Sequence, residues 1–238
     1  MSPRHAGTRL RVASVLGLLV HSLAVWAGTG GDVTRPPALE EIVARVQAQY
    51  DRIPHLHARF HQETRMQGFD QVQLGEGEVW IRKPGMMRWD YTKPERQTII
   101  ANGETLWIYL PEDRQVIRDR MSDSLQARTP ALFLAGRTRL TDLFAPTGPA
   151  VQTPGEDGLL RLELTPQEGH LQLSRVRLGI HPRSYLVVEV RLIDPLGNVT
   201  TMRFSDIQTD VPVDPSLFQF QVPPGVDVVT SPPFPEPR

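Results

Sequence analysis

His55, His57 and His61 lie two and four residues apart in a stretch where apolar and polar side chains alternate. In an extended strand such residues share one face, so three imidazoles could converge on a metal ion. Arg59 stands between His57 and His61, and Glu63 follows. An interposed guanidinium repels a cation, so this face reads as a solvated strand surface and no metal site is expected. No catalytic residue is expected either. The chain contains no GxxxxGK(S/T) loop, no GxSxG elbow, no HExxH helix and no dinucleotide fingerprint. What remains is binding chemistry. Trp80, Trp89, Trp107, Tyr91 and Tyr109 crowd one stretch together with Met86 and Met87. Such side chains ordinarily pack a sheet, and beside an apolar helical insert they can also line an adaptable cavity.

The elements that position these residues follow from periodicity. Leu39, Ile42, Val43, Val46 and Tyr50 recur at helical spacing, with Glu40 and Glu41 in the first turn, which predicts a helix over 38–52. Residues 55–66 alternate as a half-buried strand. Gly75 to Val116 holds short runs of β-formers separated by Lys83-Pro84-Gly85, Lys93-Pro94, Asn102-Gly103 and Leu110-Pro111, an antiparallel meander. Asn102-Gly103 suits a type I′ hairpin loop, in which both residues take positive φ. Arg114–Arg120 reads as a further strand. Residues 122–144 read as one or two short, very apolar helices, and 159–165, 171–179, 185–193 and 198–206 return to strand patterning. About ten strands with short turns and two helical insertions predict a mainly β (α+β) fold: an open, strongly curved antiparallel sheet with helices packed on one side.

Composition bounds the setting. A basic start (Arg4, Arg9, Arg11), an apolar stretch of 15 residues from Val12 to Trp26 and small residues at Ala27 and Gly28 read as a signal peptide over 1–27, cleaved after Ala27. There is no cysteine, hence no disulfide and no site for a lipidated N-terminal cysteine. A periplasmic, unanchored product is expected. Losing the three leader arginines takes the formal charge from −1 to −4 without any block of one sign, so no nucleic-acid partner is expected. Residues 28–37 read as a flexible lead-in, 38–226 as a single domain, and 227–238 as a proline-rich disordered tail.

The segment GEGEVWIRKP at 75–84, Trp89, and the pattern Asn102-Gly103-x-x-Leu106-Trp107-x-Tyr109-x-Pro111 together resemble the periplasmic outer-membrane lipoprotein carrier family (LolA). Thr129 to Ala135 (TPALFLA) and Phe218 to Val226 resemble later family segments in the same order. The resemblance implies an unclosed half-barrel with a helical lid over a hydrophobic cavity. It implies a carrier that needs no cofactor, acts as a monomer, takes lipoproteins by their acyl chains from an inner-membrane ABC transporter, and gives them to an outer-membrane acceptor. Carried over by position, it places Met87, Trp89, Trp107, Leu132, Phe133 and Leu134 at the cavity and lid. Lys83 falls where well-studied carriers have an arginine that latches lid carbonyls. Each acyl CH₂ gains about 0.8 kcal/mol on leaving water, so several chains demand an interior of comparable apolarity. Two other readings stand beside this one. One is a lipid- or lipoprotein-binding envelope-stress sensor on the same fold, which is expected to carry a second domain. The other is a lipid-directed envelope enzyme, against which the missing nucleophile and acid–base motifs count. Lipid co-purifying with the protein would discriminate among them.

Overall fold

A computed structural model describes residues 39–120, 133–151, 157–167, 173–209 and 211–230. Helix α1 (Leu39–Arg52) is followed by β1 (His55–Arg65), β2 (Val72–Arg82), β3 (Met86–Lys93), β4 (Gln97–Asn102), β5 (Thr105–Leu110) and β6 (Gln115–Arg120). Then come α2 (Leu140–Leu143), β7 (Phe144–Val151), β8 (Leu160–Pro166), β9 (Arg175–Ile180), β10 (Val187–Ile193), β11 (Val199–Gln208), a 3₁₀ turn at Pro215–Phe218, and β12 (Asp227–Thr230). All twelve strands form one open sheet in the order β12-β6-β5-β4-β3-β2-β1-β11-β10-β9-β8-β7. Every pairing is antiparallel except β12 on β6. The expected open, curved antiparallel sheet is thus the fold. Two strands were not foreseen: β7, which begins at the last residue of the expected helical region and runs on beyond it, and β12, inside the expected tail. The ordered domain therefore continues to Thr230 rather than ending at Val226. The leader, the lead-in and residues 231–238 lie outside the described residues.

The register assigns each strand two faces. Leu56, Ile81, Met87, Ala101 and Leu106 stand opposite one another across β1 to β5, and so do Ala58, Val79, Trp89, Ile99 and Ile108. These rows point to the concave side. There they join Leu162, Leu178 and Val190 from the other half of the sheet, Ile42, Val46 and Tyr50 from α1, and Phe133 and Leu134 in one buried cluster. Phe60 lies opposite Gly77, and its ring meets Trp89 at 5.2 Å and Tyr91 at 4.7 Å, both edge-on. A Cβ at Gly77 would overlap the carbonyl oxygen of Asp90. Here the β2–β3 register also slips, so glycine allows the strands to bend sharply.

A second apolar layer covers the convex side of β3 to β6. Residues 211–222 cross this face as a strap, tied by Arg82 to the carbonyl of Val213 (3.1 Å) and by Arg88 to that of Leu217 (3.2 Å). Beneath it Ile100, Val116, Val213 and Phe218 are buried. The Asn102-Gly103 hairpin also departs from expectation. Its two-residue loop is Gly103-Glu104, with positive φ at Gly103 alone (100°). Asn102 ends β4 in extended conformation, and its side-chain oxygen accepts the N–H groups of Glu104 and Thr105 at 3.0 and 2.9 Å. A side chain able to cap the loop favours this placement over a left-handed Asn.

Candidate apolar interior and lid seam

The concave cluster is roofed by α1 and by the segment from Phe133 to Leu143. Phe133 and Leu134 are helical, Gly136 takes φ 67°, and α2 follows. The Phe133 ring rests on Tyr50 (4.9 Å between centroids). Among the described residues the interior includes two small voids of about 10 Å³ each, about one water apiece. One is lined by Leu56, Val79, Trp89, Leu134 and Phe204, the other by Phe133, Leu134, Leu164, Leu178 and Val190. Leu134 borders both. Tyr50 is buried, which pushes its phenol pKa well up, and its oxygen accepts the N–H of Val187 (3.2 Å).

The seam between roof and sheet is held at the β2–β3 turn. The Gly85 N–H donates to the carbonyl of Ala135 (2.9 Å), and the Lys83 N–H donates to that of Pro54 (2.9 Å). The methylenes of Lys83 pack against Gly136, where a Cβ would collide with them. Its ammonium donates to the carbonyl of Tyr50 and lies 5.7 Å from the Tyr50 ring centre. Burial lowers the Lys83 pKa, and Asp51 nearby opposes that shift. Arg137, from the roof, reaches across Gly85 and donates to the carbonyl of Gly103 (2.6 Å). Leu140 N–H donates to Gln47 Oε1 (3.0 Å), joining α2 to α1.

Met87, Trp89, Phe133 and Leu134 therefore meet in one buried cluster, whereas Leu132 lies outside the described residues. Trp107 does not join them, which corrects the expectation. It pairs with Ile100 on the convex side and packs on Phe220 of the strap (6.2 Å), beside Tyr109. Lys83 stands at the seam, but its cation serves the end of α1, not the lid. The residue that clasps sheet to lid by an arginine is Arg137, on the lid side. Sequence reading missed it because its partner is a backbone carbonyl in a distant hairpin, which no spacing encodes. The histidines face away from the interior. His57 stacks on Trp80 (5.0 Å) and approaches Glu78 (3.2 Å), and His61 lies 3.6 Å from both Glu63 and Glu76. Among the described residues no cluster of three or more His, Cys, Asp or Glu is placed to hold a metal, and no helix is long and apolar enough to cross a membrane.

The fold and its interior have relatives. An "Outer-membrane lipoprotein carrier protein" of Alkalilimnicola ehrlichii is 36% identical over 181 residues, covering 76% of this chain and 79% of that one. One of the same description from Methylococcus capsulatus is 31% identical over 212 residues, covering 89% and 95%. An uncharacterised conserved protein of Thermus thermophilus shares the fold with a TM-score of 0.51 at 14% identity, over 81% of this chain and 98% of that one. Residues 51–221 match the family described as "Outer membrane lipoprotein carrier protein LolA". That match takes in the meander, the seam and most of the strap, and with the curated relatives it places this chain in the LolA outer-membrane lipoprotein carrier family.

Proposed function

We propose that this chain is a periplasmic carrier that holds the acyl chains of lipoproteins inside the half-barrel. In this reading it takes them from an inner-membrane ABC transporter and delivers them to an outer-membrane acceptor, working as a monomer without cofactor or catalysis. The supporting observation is the roof. An apolar interior is covered by a segment held to the sheet by Gly85 to Ala135 and Arg137 to Gly103, and to α1 by Leu140 to Gln47. Lipid sites usually need several hundred Å³, far more than either of these voids, so in this reading loading lifts the roof. Lifting exposes Phe133 and Leu134 at a cost that acyl chains offset by taking their place. Met87, Trp89, Phe133 and Leu134 then contact the chains, with Lys83 and Arg137 setting how readily the roof opens.

The test is native mass spectrometry of the protein purified from its own periplasm. Masses corresponding to bound acylated protein are expected, on a chain beginning near Gly28. A chain that retains residues 1–27 in the membrane fraction, or that neither carries nor accepts a triacylated lipopeptide, would overturn the reading.

A further inference from the structure

Outside the apolar interior, a polar cavity of about 290 Å³ opens at the lid seam. Gln47 and Asp51 of α1, Lys83 of the β2–β3 turn, and Phe133, Arg137 and Arg139 of the roof line it. Phe133 borders both this cavity and the second apolar void. One buried ring thus separates a polar compartment from an apolar one.

The lining is rich in donors. Its cations, Lys83 and Arg137, each donate to a neutral backbone carbonyl, Tyr50 and Gly103 respectively. A lysine has three N–H donors and an arginine five, so both keep spare capacity. The acceptors are more fully engaged. Asp51 accepts from Gln47 (2.7 Å), and Asp142, also in the lining, accepts from the Arg139 N–H (3.2 Å) and the Thr138 hydroxyl (3.4 Å). Three cationic side chains against two carboxylates leave one net positive charge. A doubly charged phosphate would leave this site net negative. Several neutral carbonyl oxygens fit this balance better.

Resting on the carrier reading above, we propose that this cavity receives the ester and amide carbonyls at the head of the acylated cargo, while the chains pass Phe133 into the interior. The pocket would thereby distinguish an acylated protein from a plain hydrocarbon of equal apolarity.

The full mature chain is titrated with a neutral apolar probe, N-phenyl-1-naphthylamine, and with a synthetic triacylated lipopeptide. The same is done for Arg139→Gln and Arg139→Lys. Arg139→Gln is expected to weaken lipopeptide binding about tenfold, as loss of one charge-assisted hydrogen bond implies. Probe binding should stay unchanged, and Arg139→Lys should recover most of the loss. An ether-linked analogue without the ester carbonyls should bind the wild type no better than the lipopeptide binds Arg139→Gln. Unchanged lipopeptide affinity, or parallel loss of probe and lipopeptide, would overturn the proposal. So would a larger loss for phosphatidylglycerol than for the lipopeptide, which would mark a phosphate site. A wild type that binds neither ligand would instead overturn the carrier reading itself.

Discussion

The Lys83 ammonium donates to the carbonyl oxygen of Tyr50, so the cation at the β2–β3 turn tethers the C-terminal end of helix α1. Cations are favoured at that end of a helix, where the last carbonyls lack partners within the helix. The lid is held only indirectly, by Gly136 seated against the lysine methylenes. Arg137 makes the direct clasp from the opposite side of the seam.

Removing either basic residue should therefore loosen the closed form, each through a different partner. Lys83→Leu and Arg137→Ala are both expected to raise affinity for the plain apolar probe, which makes no use of the seam donors, because a ligand that needs the open form then meets a smaller penalty. A charge-assisted hydrogen bond contributes about 1.5–3 kcal/mol, which sets a ceiling of roughly 10- to 100-fold. Delivery to a purified acceptor should fall in both, and Lys83→Arg should behave as wild type. Binding titrations alongside a transfer assay decide the matter; wild-type behaviour in both loss variants would mean that neither residue restrains the roof.

Tyr50 provides a pH signature. Its folded pKa lies above the unfolded value of about 10. Its neutral form therefore stabilises the fold fully below about pH 10, and that contribution is lost as pH rises through the raised folded value. Wild type should lose stability above pH 10 more steeply than Tyr50→Phe. At neutral pH the variant should be less stable by about 1–3 kcal/mol, since the Val187 N–H loses its acceptor in a buried site. Denaturant titrations from pH 7 to 11 would check both slope and offset.

Gly77→Ala should be among the most disruptive small substitutions in the sheet, because the added methyl meets the Asp90 backbone and the Phe60 ring together. A loss of at least about 1–3 kcal/mol is expected, as for other overpacked sites. Gly75→Ala meets the Tyr91 ring at 3.3 Å and the Gln62 Cβ at 3.5 Å, and should cost less. Thermal melts of the two variants give the comparison, and equal losses would remove the special role of Gly77.

The two faces of the sheet separate stability from binding. Trp107→Ala should destabilise the strap by at least about 1 kcal/mol and leave acyl binding unaltered. Trp89→Ala should change both, since its ring borders the interior void. A binding defect in Trp107→Ala with unchanged stability would contradict this division.

Leu134→Glu tests the roof. Its side chain borders both voids, so a carboxylate there should put a charge where acyl chains would pack while the sheet keeps its β signature and melts cooperatively. Cargo binding is expected to fall. Outright unfolding would show that Leu134 belongs to the obligatory core.

Much of this was legible in the sequence because one period governed one face. The α1 stripe of Ile42, Val43, Val46 and Tyr50 is the buried face, and the alternation of Leu56, Ala58 and Phe60 gave β1 its inner side. Ile99 and Ile100 carried no such signal: both are apolar, and they point to opposite sides of β4. Only the strap, more than a hundred residues later, makes the convex side apolar, so the side taken by Trp107 could not be read locally. β7 was missed because its sequence, FAPTGPAV, reads as loop, although proline is tolerated at a sheet edge. The seam was hardest to foresee. The Arg137 guanidinium reaches the Gly103 carbonyl and the Gly85 N–H reaches the Ala135 carbonyl, joining three separate segments.

Among the described residues the open sheet, unlike a closed barrel, ends in two edge strands, and such edges can template pairing with another copy. At one end β7 contains Pro146 and Pro149, so two of its eight residues have no N–H to offer a neighbour. At the other, β12 covers β6 and is itself only four residues long. The curved sheet can therefore stay open for a guest without growing strand by strand into fibrils.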